Sequence, residues 1–182
     1  MQSTEVFTTI SIAGLNKTEL KIMDWAIEHS HSYGGWCLKD RRTQEPNLSV
    51  PEKYALKESR FDDPAAVIEQ NIAASDGALV FAGVHPKNDG SNLTEEICDK
   101  YDLPVFFYYL DKIALLDDFD PKTGVFAIGI PPHQTFENLV RWGRQNNVLR
   151  LYIKAPRASF LENDIAYRAL KDYVVSILKS TS

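Results

Sequence analysis

Along the chain, short apolar runs alternate with segments whose apolar residues recur every three or four positions. Val6 to Ile12 is β-branched and apolar and closes on Ala13-Gly14, which reads as a buried strand ending in a turn. Asn16 and Glu19 follow at capping-box spacing, ahead of Leu20, Met23 and Ile27 on one helical face. Ser30 to Ser59 has no period and reads as a long irregular loop, of the kind that is usually functional or mobile. Asp63 is placed to cap a helix running to about Ala74, and Gly77 to Ala82 is a second apolar strand. A polar loop from His85 to Ser91 leads to a helical pattern from Asn92 to Tyr101, in which Asn92 and Glu95 have capping-box spacing. Val105 to Leu110 is a third buried strand.

Between Asp111 and Pro132 the pattern breaks. Asp111, Asp117, Asp118 and Asp120 read as a solvated loop before the turn signal Pro121-Lys122-Thr123-Gly124, and Val125 to Ile130 as an edge strand or part of an insertion. The pattern resumes with a helix from Phe136 to Asn146, a strand from Val148 to Ile153 and a final amphipathic helix from Asn163 to Leu178. Alternating helices and continuous apolar strands predict an α/β fold, a mostly parallel sheet with helices on both faces, in a single domain over residues 1–182. Ligands of such sheets collect at the carboxyl ends of the strands. That directs attention to Ala13–Lys17, Gly83–Ser91 and Ala155–Ser159.

Composition narrows the function classes. The 182 residues carry a net charge of −5, which does not draw the surface as a whole to nucleic acid or anionic membrane, though a local basic patch can still hold phosphate. No apolar run approaches the ~18 residues of a membrane span. The opening MQSTEVFTT is too polar for a signal peptide, and Cys37 and Cys98 form no CxxC pair. Two free thiols in a reducing cytosol, hence a cytoplasmic protein, is the expectation.

Four segments carry candidate chemistry. Gly14 with Lys17 at a strand–helix junction suits an anion, although a plain capped turn explains it as simply. Gly34-Gly35-Trp36-Cys37 followed by Lys39, Arg41 and Arg42 sets cations beside an aromatic ring, a pattern for phosphate and a planar ring; a solvated charged loop over a core tryptophan is the plain reading. Gly90, Ser91 and Thr94 open a helix and offer N–H groups and hydroxyls to phosphate, against ordinary capping. Arg157 and Ser159 follow the last strand beside Pro156, as an anion grip or as part of a surface salt bridge. No metal-ligand spacing, no G-x-S-x-G elbow and no Walker loop is present, so no catalytic or metal residue is assigned.

Taken in order, Gly34-Gly35-Trp36-Cys37-x-Lys39-x-Arg41-Arg42, Pro51-Glu52-Lys53-Tyr54-Ala55-Leu56-Lys57-Glu58, Asn71 before Ser75-Asp76-Gly77, and Ala155-Pro156-Arg157-Ala158-Ser159 resemble the putative molybdenum carrier family. That family is similar to molybdenum-cofactor carriers and to the lysine-decarboxylase-like nucleoside-monophosphate phosphoribohydrolases. The first loop departs from the family pattern S-G-G-Q-T-G-x-D, keeping Gly14 and an acid at Glu19. Relative to the family, about 113–133 stands as an insertion.

The resemblance implies a Rossmann-like domain and a homo-oligomer, a dimer or tetramer. It implies binding, without catalysis, of a small phosphorylated ligand: molybdenum cofactor (molybdopterin), another phosphorylated pterin, or a nucleotide. In that reading Gly14, Lys17, Gly90, Ser91 and Thr94 surround phosphate. Lys39, Arg41, Arg42 and Arg157 supply charge, Ser159 adds a hydroxyl, and Trp36, beside Gly34 and Gly35, stacks on the ring. The alternatives are a phosphoribohydrolase-like enzyme in which Glu96 assists water attack, for which the intact P-G-G-x-G-T-x-x-E loop is missing, and a degenerate ligand sensor or interaction subunit.

Overall fold

A computed structural model of the chain describes residues 6–83, 90–122, 125–161 and 164–180. The expected loop at 85–91 and the turn at 121–124 therefore lie partly outside the described residues. Five strands form the main sheet: β1 (Thr9–Ser11), β2 (Tyr33–Gly34), β5 (Gly77–Ala82), β6 (Val105–Tyr109) and β9 (Arg150–Lys154). Every pairing in it is parallel, and the order is β2-β1-β9-β5-β6. The late strand β9 thus sits in the centre, between two strands formed early in the chain.

The helices are α1 (Lys17–Glu28), α2 (Pro64–Ala73), α3 (Ser91–Lys100), α4 (Phe136–Gln145) and α5 (Asp164–Lys179). Because side chains alternate across a strand, each central strand feeds two cores. Leu151 and Ile153 of β9 join Leu79 and Phe81 of β5 and the apolar stripes of α1, α4 and α5. Tyr152 and Ala78 join Val67 and Ile72 of α2 and Ile97 of α3. This is the α/β arrangement that the alternating pattern predicts, and it is Rossmann-like, as the resemblance implies.

Three expectations are corrected. The first strand is shorter than its apolar run: Val6 and Phe7 are buried but precede the ladder, with the Thr8 N–H on the Leu149 carbonyl. The stretch from Ser30 to Ser59 is built rather than irregular. It holds β2 and a short parallel pair, β3 (Trp36–Cys37) with β4 (Lys57–Glu58), fastened by backbone and side-chain hydrogen bonds. The aspartates read as a solvated loop lie in or beside a strand, β7 (Ala114–Asp120), which pairs antiparallel with β8 (Val125–Gly129). A two-stranded ribbon set apart from the main sheet needs no continuous apolar run, so its pattern looks broken.

Candidate functional site

At the carboxyl end of the sheet, three chain segments converge: the β1–α1 junction, the residues after β9, and the start of α3. Asn16 caps α1 by accepting the Glu19 N–H on Oδ1 at 3.0 Å, and its amide donates to the Ala155 carbonyl at 3.0 Å. The Glu19 carboxylate turns back to accept the Leu15 N–H at 2.8 Å. The capping box is therefore present, shifted by one donor from its usual partner.

Glu19 is fully buried and forms the centre of this convergence. Its Oε1 lies 3.2 Å from the Lys154 ammonium and accepts the Ala155 N–H at 3.4 Å. Lys154 is itself 4% exposed, and its ammonium also donates to the Ala155 carbonyl at 3.0 Å. Two of its three N–H bonds are thereby placed. The pair is electroneutral, which is what lets two charges stay buried.

Above Lys154 begins α3. Gly90 is its N-cap, in the left-handed region at φ 77°, and no side chain caps the helix. A Cβ built on Gly90 would stand 3.0 Å from Lys154 Cε, so the glycine lets the helix start rest against the lysine stem. The expected capping box of Asn92 and Glu95 is not formed. The helix begins two residues earlier than that box requires, with Gly90 rather than Asn92 as its N-cap, and the Thr94 hydroxyl donates to the Gly90 carbonyl at 2.9 Å. A helix start carries a partial positive charge that favours an anion. Arg157, half-buried, lies two residues beyond Ala155, and Ser159 is exposed in the following turn.

The first loop is closed to such an anion. Gly14, at φ 66°, faces apolar atoms: a Cβ there would meet Leu56 Cδ1 at 3.0 Å and Val50 Cγ2 at 3.3 Å. The Lys17 N–H, first of the helix, donates to the Glu45 carboxylate at 2.8 Å. Lys17's own side chain points to solvent. The chain fills this seat with its own carboxylates and an apolar cover.

The glycine–tryptophan–basic segment is committed to the fold. Gly35, at φ 129°, passes so close to Asn71 that a Cβ would lie 2.5 Å from Asn71 Oδ1 and from the Ile12 carbonyl. Asn71 is a buried hub: its Oδ1 accepts the Trp36 N–H at 3.0 Å and the Ser11 hydroxyl, and its amide donates to the Trp36 and Val67 carbonyls at 2.9 Å. Gly34 supplies the end of β2. Trp36 packs against the second core with the Lys57 ammonium 5.3 Å from its ring centroid. Arg41, expected to supply ligand charge, instead spends its guanidinium on four carbonyls, those of Val50, Pro51, Tyr54 and Leu56, at 2.9–3.1 Å. Arg42 pairs with Asp62, and Lys39 projects into solvent. The three cations therefore do not converge. Cys37 and Cys98 are buried free thiols; burial pushes Cys98 up to about 12, and no group of metal-binding side chains gathers among the described residues.

Sequence reasoning passed over Lys154. It ends β9, and only its register there, facing α3 two residues on from Tyr152, reveals it. Glu45 was equally hidden, because nothing in its spacing links it to Lys17, 28 residues away.

A family model described as the circularly permutated YpsA SLOG family matches residues 13–178. No curated protein matches the chain. Among solved structures, the chain is similar to a putative molybdenum carrier protein from Syntrophus aciditrophicus SB, with 24% identity, a TM-score of 0.70, and coverage of 97% of this chain and 96% of that one. That likeness shows the fold. Among the described residues, no helix is long and apolar enough to cross a membrane.

Proposed function

This chain belongs to the circularly permutated YpsA SLOG family, and we propose that it binds and carries a small phosphorylated ligand of the pterin or nucleotide class, without transforming it. The observation that carries the reading is the glycine-capped start of α3 at Gly90, resting on buried Lys154. The phosphate sits on the first-turn N–H groups from Gly90 and Ser91. In this reading the third N–H of Lys154 adds charge, and Arg157, two residues beyond Ala155, supplies a second cation. A helix start is worth more with a cation beside it, because both favour the same negative group.

The solved neighbour is named a molybdenum carrier, and molybdenum cofactor is a phosphorylated pterin, so it stands as the leading cargo. In this reading its phosphate end takes the Gly90 seat. Glu96, the base of a hydrolase reading, is on the exposed side of α3, and no described contact ties it to the Lys154 cluster. The carrier reading is therefore preferred. A homo-oligomer in the cytoplasm is proposed with it, on the family resemblance and the two free thiols.

Calorimetric titration with inorganic phosphate and adenosine monophosphate tests the seat. The wild-type chain is expected to bind both, and Arg157→Ala to weaken both about tenfold, the effect of one charge-assisted hydrogen bond. Equal affinity in Arg157→Ala removes that residue from the site. Native mass spectrometry of freshly purified protein, with molybdenum analysis, then identifies the cargo.

A further inference from the structure

We infer that the cleft between the outer face of α2 and the segment following β4 is a second binding site, one that takes a neutral planar heterocycle of the nucleobase class by an edge carrying an N–H beside a carbonyl. The inference stands apart from the phosphate reading and does not need it. The cleft holds about 690 Å³, within the ~300–1,000 Å³ usual for small-molecule pockets. Tyr101, which lines it, is the C-cap of α3, one helix length from Gly90. That separation is about 15 Å, so the two sites are not ends of one seat.

The floor is one stripe of α2, in which Ala66, Glu69, Gln70 and Ala73 recur at the spacing of a single helical face. The two alanines leave the room. Phe61 and Tyr101 supply the aromatic lining, and the fold leaves them 37% and 40% exposed. Both are anchored. The Phe61 N–H donates to the Ser59 hydroxyl at 3.1 Å and its carbonyl accepts the Lys39 N–H at 2.9 Å, while the Tyr101 hydroxyl donates to Glu69 Oε1 at 2.7 Å. Aromatic rings held in place at a cleft offer a planar ligand stacking area at little entropic cost.

The charges around the cleft favour a neutral occupant. Glu58 and Glu69 oppose an anion. Arg60, with its guanidinium 4.9 Å from the Phe61 ring centroid, and Lys100, 5.4 Å from the Tyr101 centroid, oppose a cation and already serve both rings. The hydrogen-bonding groups left over are complementary to a mixed edge. Gln70 Oε1 accepts the Ser59 hydroxyl at 2.8 Å, which orients the amide and leaves its two N–H bonds without a partner among the described residues. Lys100 and Tyr101 both donate to Glu69 Oε1, so Glu69 Oε2 remains an acceptor. Neighbours in sequence, Gln70 and Glu69 thus present a donor and an acceptor to one cleft. A ligand carbonyl takes the Gln70 N–H, and the adjacent ligand N–H goes to the Glu69 carboxylate.

The test is a calorimetric titration of the full chain with inosine, whose base carries a ring N–H beside a carbonyl and which has no phosphate. Thermal melts establish folding of each variant. Wild type is expected to bind inosine saturably, and to bind N1-methylinosine, in which a methyl group replaces that ring hydrogen, about fivefold more weakly or worse. Phe61→Ala removes an exposed ring and is expected to weaken inosine about tenfold. Gln70→Glu still accepts the Ser59 hydroxyl but sets an acceptor where the N–H donors stand, and is expected to weaken inosine about tenfold as well. If Gln70→Glu does not fold, Phe61→Ala decides. No saturable binding by wild type overturns the inference. So does unchanged inosine affinity in a folded Phe61→Ala or Gln70→Glu, and so does equal affinity for the two nucleosides. Because inosine carries no phosphate, its binding survives a failure of the Gly90 reading, and its absence leaves that reading untouched.

Discussion

At the scale of single residues, the groups that look most functional in the sequence divide into those that bind the fold to itself and those left over. Arg41 is the clearest case. A guanidinium has five N–H donors in a fixed fork and no acceptor, so it can gather several carbonyls that a loop would otherwise leave unpaired. Here it gathers four, across residues 50 to 56, and its side chain is 14% exposed. Arg41→Ala is expected to lower stability by about 2–4 kcal/mol, read as a shift in urea midpoint, with phosphate affinity of the folded fraction unchanged. A stable Arg41→Ala that loses phosphate affinity would return Arg41 to the binding site. The motif Gly34 to Arg42 was legible as important but not as structural, because a cation's partner cannot be read from its neighbours in sequence. Gly35 shows the same limit: its need for a missing side chain comes from Asn71, 36 positions on, a contact only the fold creates.

At the scale of elements, most helices and strands follow from period and caps. Asp63 caps α2 as its placement predicts, and β5 spans Gly77–Ala82 as its apolar run does. What the pattern could not give was order. β9 enters between β1 and β5, and its entry is clipped by Asp76, whose carboxylate accepts the Leu149 and Arg150 N–H groups at 3.2 and 2.7 Å and pairs with the Arg150 guanidinium at 2.8 Å. Arg150 holds the Asp76 carboxyl below the usual carboxylate range. A carboxyl depressed by folding adds stability above its unfolded value, near about 4, and that stability is lost as pH falls through the folded value. Asp76→Asn is therefore expected to be less stable than wild type at pH 7 by about 1–2 kcal/mol, and the two stability curves to converge on acidification below pH ~3. Urea midpoints measured across that range check it. A gap that persists undiminished at low pH would mean the ionised carboxyl is not the source.

At the scale of the whole molecule, the central claim is that the start of α3, rather than that of α1, seats a phosphate. Both α1 and α3 begin where strands end, at the edge where parallel α/β sheets bind ligands. The start of α1 is closed by Glu45, Glu19 and an apolar cover over Gly14, while the start of α3 has a glycine cap and a buried lysine beneath it. Gly14, Lys17, Gly90 and Ser91 looked alike as a sequence, because each is a small or basic residue ahead of a helix. They part company only when the loop from Thr43 to Leu56 folds over the first and leaves the second. The most direct measurement is an amide-proton NMR titration of the wild-type chain with inorganic phosphate. The account predicts saturable shifts centred on Gly90, Ser91 and Asn92, with the Leu15 and Lys17 amides unmoved. Shifts centred on residues 15–17 or 39–42, with residues 90–92 silent, would contradict it.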